Sequence, residues 1–421
     1  LKKKRITALL ALLMILLMNL NVLAAGENIA RPDIYGQAAI TVEVQTNEII
    51  YEKNIDLKMY PASTTKLLTA LLLAENKNRT DMLTYTDSAK SQPEYSLNVN
   101  LQPIQVGEIM SAKDAMLGLL LYSGNDVAYM IADNVSGNAT SFMDKMNAKI
   151  SELNLKNTHF VTPNGLHDAN HYTTAYDLSV IGMAAFKNEW VKEAAGTKSA
   201  TITVSSGASM AIENRNKLLG KNGCIDGKTG YTSQAGKCLV TLYERDGRQI
   251  LGVVMNSVYD KDDLFVFNDM EKIIDWSYSA KKTTLFSKGN VIKTQTLKYK
   301  PLVIAGPVKT IDVPLISKED ITYYDNDVNK SELKETYNFN NISLPALIGA
   351  KSIGTLSLEE RSSVKTYKVY SDLSVFSIIK ANLILYAGLL AGLAVLIAAI
   401  VIVIKTLKGR GRSRKGRTYY H

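Results

Sequence analysis

From Ala381 to Ile404 the chain runs for 24 residues without a charge, and Asn382 is the only strongly polar side chain among them. A helix of that length reaches across a hydrocarbon layer of about 30 Å, and few soluble folds have room for one so uniformly apolar. Behind it come Lys405, Lys408, Arg410, Arg412, Arg414, Lys415 and Arg417, with no acidic residue between them. Positive charge beside a span stays on the cytoplasmic side, so residues 381–404 read as a transmembrane helix and 405–421 as a basic cytoplasmic tail. A nucleic-acid-binding tail is the other use of such charges, and a span directly before them argues against it.

The opposite end carries Lys2, Lys3, Lys4 and Arg5, an apolar run from Ile6 to Leu17, and Val22-Leu23-Ala24-Ala25. This is the layout of an export signal over residues 1–25, cleaved after Ala24 or Ala25; an uncleaved anchor is the alternative, for which the apolar core is short. The formal charge of +9 belongs to these two ends. Without the four cations of the first and the seven of the second, residues 6–404 carry −2. The body offers no polycationic surface, and no nucleic-acid partner follows from it. Cys224 and Cys238 are the only cysteines, too few for a disulfide framework, and are read as unpaired.

Between the ends, two regions differ in pattern. Residues 28–280 mix helix and strand signals. Ala38–Val44 and Glu48–Glu52 read as strands about a turn, and Leu67–Ala74 as an apolar helix opened by Pro61 and Ser63. Lys113–Tyr122 and Asp126–Asn134 read as helices and Cys224–Thr232 as an edge strand. Lys237–Tyr243 and Gln249–Met255 form a hairpin around Arg245-Asp246-Gly247-Arg248, and Asp262–Tyr278 a closing amphipathic helix. From 283 to 375 only short strand-like runs remain, such as Val291–Leu297, Lys309–Val313, Thr336–Phe339 and Val364–Tyr370. They are separated by Gly, Pro, Asn and Asp, as in a small all-β domain. That region holds no His or Cys; it reads as a spacer, or as a wall- or partner-binding module.

Three short motifs carry the chemistry: Ser63-Thr64-Thr65-Lys66, Ser123-Gly124-Asn125 and Lys228-Thr229-Gly230. Ser-x-x-Lys also starts at Ser279, Ser331, Ser362 and Ser377, and Ser-Gly-Asn recurs at Ser136; only Lys-Thr-Gly is unique. Context selects Ser63, which opens the most apolar helix of the body. There it faces free helix N–H groups, with Lys66 one turn further on the same face. A lysine held near a serine in a desolvated place can lose its proton and act as a base. A helix cap with a snorkelling lysine uses the same residues without chemistry. Ser123 and Asn125 on one tight turn can relay a proton and hold an amide, whereas Ser136-Gly137 reads as a helix stop. Gly230 in a strand lets a ligand's backbone come close, and Lys228 and Thr229 can meet a carboxylate.

In this order, with gaps of 60 and 105 residues, the motifs resemble those of the penicillin-binding-protein and serine β-lactamase superfamily. Within it the chain is similar to the low-molecular-weight D-alanyl-D-alanine carboxypeptidases. The segments that carry this likeness are Tyr60–Lys66, Leu120–Asp126, Thr158–Leu166, Asn214–Leu219 and Gly227–Gly236. The resemblance implies an α/β (α+β) transpeptidase/β-lactamase-like domain, an antiparallel sheet flanked by helices. A small all-β domain and a C-terminal transmembrane helix would follow it. It implies an exported enzyme anchored in the bacterial cell membrane that removes the terminal D-alanine from peptidoglycan stems ending in D-Ala-D-Ala, needs no cofactor or metal, and is trapped by β-lactams. Ser63 would be the nucleophile, Lys66 its base, and Ser123 the proton relay to the leaving D-alanine. Asn125 would hold the substrate amide, and Lys228, Thr229, Gly230 and, less directly, Arg215 would bind near the terminal carboxylate. The backbone N–H groups of Ser63 and Tyr231 would form the oxyanion hole. Some relatives carry histidine where Tyr231 stands.

Other readings compete. A class A β-lactamase needs a deacylating glutamate, and none lies between His159 and Tyr176. His167-x-x-x-His171 has a spacing metals use, yet no His-Glu-x-x-His is present and the segment reads as loop. No Gly-x-Ser-x-Gly elbow supports a Ser-His-Asp hydrolase. A D,D-endopeptidase or transpeptidase, or a silent wall-binding protein on the same fold, shares the motifs.

Overall fold

The computed structural model describes residues 30–302, 306–340 and 342–413. The expected export signal lies outside them, as does the end of the basic tail. The chain divides into two compact units, residues 1–281 and 282–421.

The first unit is built on a five-stranded antiparallel sheet. Its strands are β1 (Ala38–Glu43), β2 (Ile49–Lys53), β3 (Cys224–Thr232), β4 (Gly236–Arg245) and β5 (Arg248–Ser257). Their order is β2-β1-β5-β4-β3, which leaves β3 at an edge. β4 and β5 join through the hairpin read from the sequence. Asp246 and Gly247 both take positive φ, 51° and 77°, so the two-residue loop twists with its strands. From Cys238 to Tyr243 and from Ile250 to Met255 every residue is buried, because helices cover both faces. On one face Gly182, in the helix Ala175–Lys187, sits against Val240 and Leu251. On the other, Gly252 lies under Met270 of the closing helix Phe265–Ser279. Each contact is too close for a Cβ, which brings helix and sheet together.

Three further helices of this unit carry or flank the first two motifs. α1 (Lys66–Asn76) is buried from Lys66 to Leu73, which explains its uninterrupted apolar sequence. α2 (Ala112–Leu117) runs into a π-helical turn, Gly118–Tyr122, where the sequence pattern suggested one continuous helix. That turn ends on Ser123 at φ 74°, in the left-handed region. α3 (Asn125–Ser136) follows and stops at Gly137, φ 81°, so the second Ser-Gly-Asn is the helix stop it was read to be. Cys224 and Cys238 are both free and buried.

The second unit holds a five-stranded antiparallel sheet of β6 (Val291–Tyr299), β7 (Lys309–Ser317), β8 (Lys334–Phe339), β9 (Gly354–Glu360) and β10 (Ser363–Ser371), in the order β6-β7-β10-β9-β8. Its core gathers Leu297, Val313, Leu315, Leu347, Leu356, Leu358 and Val369. It also contains short helices at Asp327–Glu332 and Leu344–Leu347, too brief to leave a periodic signal in the sequence. The unit closes with α4 (Val375–Ala381) and α5 (Leu383–Ser413). Residues Leu383–Lys408 of α5, with mean hydropathy 3.0, are long and apolar enough to cross a membrane.

Candidate active site

Ser63 lies on a single 3-10 turn, Ala62–Thr65, that leads directly into α1. Ala62 is forced to φ 49°, a cost a non-glycine residue bears only where its surroundings fix it. The Thr64 hydroxyl donates to the Pro61 carbonyl at 2.7 Å and ties the turn down. From β3, Gly230 comes so close that an added Cβ would sit 3.0 Å from both Pro61 O and Ser63 N. The edge strand and the Ser63 turn therefore touch through backbone.

Lys66 is fully buried, and its Nζ has three neighbours: Ser63 Oγ at 2.7 Å, Asn125 Oδ1 at 2.9 Å and the Asn164 carbonyl at 2.8 Å. Burial holds its pKa well below the ordinary lysine value, and the positive charges of Lys228 and Arg215 push the same way. The neighbours dictate what a neutral amine would do. The Asn164 carbonyl only accepts. Asn125 is oriented by its Nδ2, which donates to Glu94 O at 2.8 Å, so its Oδ1 also only accepts. A neutral Lys66 spends both N–H bonds on these two oxygens, and its lone pair then meets the Ser63 hydroxyl.

Lys228 is also buried, and its Nζ donates to Ser123 Oγ at 2.9 Å and to Thr229 O at 2.9 Å. Burial, with Arg215 adding repulsion, lowers its pKa to about 7. Lys228 thus reaches inward beneath Ser123, and Thr229 is the member of the pair that lines the adjoining cleft. This cleft, of about 820 Å³, is also walled by Ser63, Ser123, Asn125, Gly230, Tyr231 and Arg215. Arg215 stacks its guanidinium on Tyr95 and Tyr122, 5.0 and 4.7 Å from the ring centres. Tyr231 stacks on Tyr259 at 4.7 Å, and Lys237 Nζ lies 4.9 Å from both rings. Ser279, the other Ser-x-x-Lys start within this unit, does not line the cleft.

Several supporting residues carry no role in the sequence reading. Asp126 is buried and accepts from Leu97 N, Asn98 N and the Tyr85 hydroxyl, each at 3.0 Å, which holds the segment before Leu97 beside α3. Gly165 takes φ +80°, and a Cβ there would fall 1.9 Å from Ala62 O. His171 does not pair with His167. Its Nδ1 accepts from Val161 N at 3.1 Å, so Nε2 carries the proton and donates to Thr65 Oγ1 at 2.9 Å, within the Ser63 turn. Both ring nitrogens are occupied and the ring stacks on Phe160 at 4.6 Å, while His167 packs against Tyr60.

Burial lowers the His171 pKa to about 3. The unfolded chain takes up this proton near pH 6.5 and the folded chain does not, so the stability this residue contributes is complete above pH 6.5 and fades as pH falls towards 3. Chemical denaturation at pH 7 and pH 4.5 should show this. The His171→Gln variant is expected to lose less stability on acidification, its slope shallower by up to about 1.4 kcal/mol per pH unit.

The architecture recurs in solved structures. A penicillin-binding-protein homologue from Mycobacterium tuberculosis aligns over 61% of this chain and 96% of its own, with 27% identity and a TM-score of 0.56. The Streptomyces K15 DD-transpeptidase aligns over 60% of this chain and 100% of its own, with 28% identity and a TM-score of 0.54. The first unit therefore has the penicillin-binding-protein fold. In sequence, the D-alanyl-D-alanine carboxypeptidase DacF of Bacillus subtilis is 29% identical over 335 residues, 78% of this chain and 82% of that protein. DacC of Escherichia coli is 30% identical over 263 residues, 61% of this chain and 64% of that protein. The model of the peptidase S11 family, D-alanyl-D-alanine carboxypeptidase, matches residues 25–258. The chain belongs to that family and is a serine-type D-Ala-D-Ala carboxypeptidase.

Proposed function

We propose that Ser63 is the nucleophile of this carboxypeptidase and that Lys66, in its neutral form, is the base that activates it. The observation that carries this reading is the environment of Lys66 Nζ, where two obligate acceptors leave the lone pair for Ser63. Ser63 Oγ attacks the carbonyl carbon of the penultimate D-alanine as its proton passes to Lys66. The oxyanion is taken by the backbone N–H groups of Ser63 and Tyr231, a contribution often worth about 3 kcal/mol. The C–N bond then breaks, and the departing D-alanine nitrogen receives a proton through the Ser123 hydroxyl, backed by Lys228 Nζ at 2.9 Å. Water cleaves the remaining acyl-serine ester and restores the hydroxyl. Thr229 and Arg215 meet the terminal carboxylate from the cleft wall. Asn125, whose amide is engaged by Lys66 and Glu94 O, acts first by orienting the base; holding the substrate amide requires it to exchange a partner. A β-lactam follows the same path to a slowly released acyl-enzyme.

The body, residues 28–280 with the β-rich 283–375, works outside the cell after loss of residues 1–25. Residues 383–404 of α5 cross the membrane, the expected span less Ala381 and Asn382, and the basic 405–421 remain in the cytoplasm. The apolar α5 and the cations behind it support this topology. A stem pentapeptide ending in D-Ala-D-Ala tests the activity. Chromatography should find one free D-alanine released per stem, with no transfer to an added amine acceptor. Predominant transfer would make the protein a transpeptidase, and no turnover by folded protein would make it a silent relative.

A further inference from the structure

The end of the second unit's sheet meets the start of the apolar helix at defined contacts. Asn382, 1% exposed between α4 and α5, donates from Nδ2 to the Tyr299 hydroxyl at 2.5 Å. One turn on, the Tyr386 hydroxyl donates to the Pro301 carbonyl at 3.2 Å. The last residues of β6 are thereby held at the first turn of α5. On α4, Val375, Phe376 and Ile379 are 56%, 72% and 44% exposed, an apolar surface suited to the boundary where headgroups meet acyl chains.

Tyr299, which accepts from Asn382, also lines a pocket of about 450 Å³. Lys298 and Lys300 flank Tyr299 on one side, and Ile342, Leu344 and Pro345 supply an apolar wall on the other. Both lysines are exposed, and neither side chain makes a hydrogen bond or ion pair among the described residues. Among the described residues no acidic side chain lines the pocket. Lys380, exposed in α4 two residues before Asn382, is a further cation at the start of the apolar helix. On the edge strand β6, exposed lysines also discourage pairing with a second sheet, a purpose that needs no lipid. At a membrane surface each would attract anionic lipid by a factor on the order of five.

We infer that this pocket binds the phosphodiester headgroup of an anionic phospholipid, phosphatidylglycerol in chemistry, with Lys298 and Lys300 on the phosphate and Ile342 and Leu344 against the glycerol and upper acyl carbons. The inference rests on the proposed membrane topology. The bound lipid belongs to the leaflet facing the enzyme body. It pins the β-rich unit to the bilayer surface at a second point beside the helix.

The test uses the full chain in mild detergent, titrated with phosphatidylglycerol or phosphatidylcholine and read by native mass spectrometry. The basic tail also attracts anionic lipid, so the readout is the difference between wild type and the Lys298→Gln/Lys300→Gln variant, whose tails are identical. The variant is expected to retain one phosphatidylglycerol fewer, its affinity for that lipid lowered on the order of tenfold, with phosphatidylcholine unaffected. The Lys298→Arg/Lys300→Arg variant should keep the lipid. Equal retention by wild type and the Gln variant, with both floating on vesicles, would overturn the site and leave the topology standing. Failure of wild type to float with vesicles would overturn the topology, and this inference with it.

Discussion

Lys66→Arg is expected to lower the rate at which a fluorescent penicillin acylates Ser63 by roughly 10⁴, the scale lost when a hydrolase loses its base. The substitution keeps a long basic side chain but removes the ability to become neutral, because a guanidinium does not give up its proton in a protein. The bulkier guanidinium stays charged in a fully buried site beside Lys228 and Arg215, so urea denaturation of the variant is measured alongside to separate lost folding from lost chemistry. The pH profile separates a lost base from a merely disturbed site. In the wild type, burial and the charges of Lys228 and Arg215 lower the Lys66 pKa, so the fraction of active base rises with pH well below the range of ordinary lysine. That rise should vanish in the variant. A variant acylated at the wild-type rate would remove Lys66 from the proposed role.

Gly165→Ala should also be damaging, in rate and in stability together, although Gly165 takes part in no chemical step. Its φ of +80° already disfavours alanine, and the new methyl would sit 1.9 Å from Ala62 O and 2.7 Å from Thr65 Oγ1. Backbone must move on one side or the other. On one side is Ala62, next to Ser63; on the other is Asn164, whose carbonyl holds Lys66. A displacement of about 1 Å at either is enough to cost about 10²-fold in rate. The overpacked, strained turn should lower stability by about 3 kcal/mol. Urea denaturation and acylation kinetics on the same preparation measure both. Wild-type values in both would mean the loop at Asn164 is far softer than its contacts indicate.

The legible and the hidden parts of the site differ in kind. Ser63, Lys66 and Ser123 stand out because their side chains form short patterns on helix and turn boundaries. The hairpin at Asp246-Gly247 and the edge strand Cys224–Thr232 were readable because turn chemistry and strand alternation are local. The Asn164 carbonyl was not, since a backbone oxygen has no residue-type signature. His171 drew notice for its spacing from His167, and only the tertiary fold turns its two nitrogens to Val161 and Thr65. The π turn before Ser123 was hidden because Met116–Tyr122 is apolar enough to continue a helix. Lys228 illustrates the opposite limit. Its motif suggested a hand held out to a carboxylate, yet a lysine's reach does not reveal its direction, and here it points in to Ser123. In the second unit the four named strand-like runs fall within β6, β7, β8 and β10, whereas β9 was not singled out. The one-turn helices were not visible, because four to six residues carry no period.

The central claim is that Ser63 carries the acyl group. Intact-protein mass spectrometry after exposure to a penicillin, on wild type beside Ser63→Ala, tests it most directly. A single stable adduct on the wild type, mapped to the peptide containing Ser63 and missing from the variant, is the predicted result. A well-folded wild type that takes no adduct, or a variant that takes the same one, would contradict it.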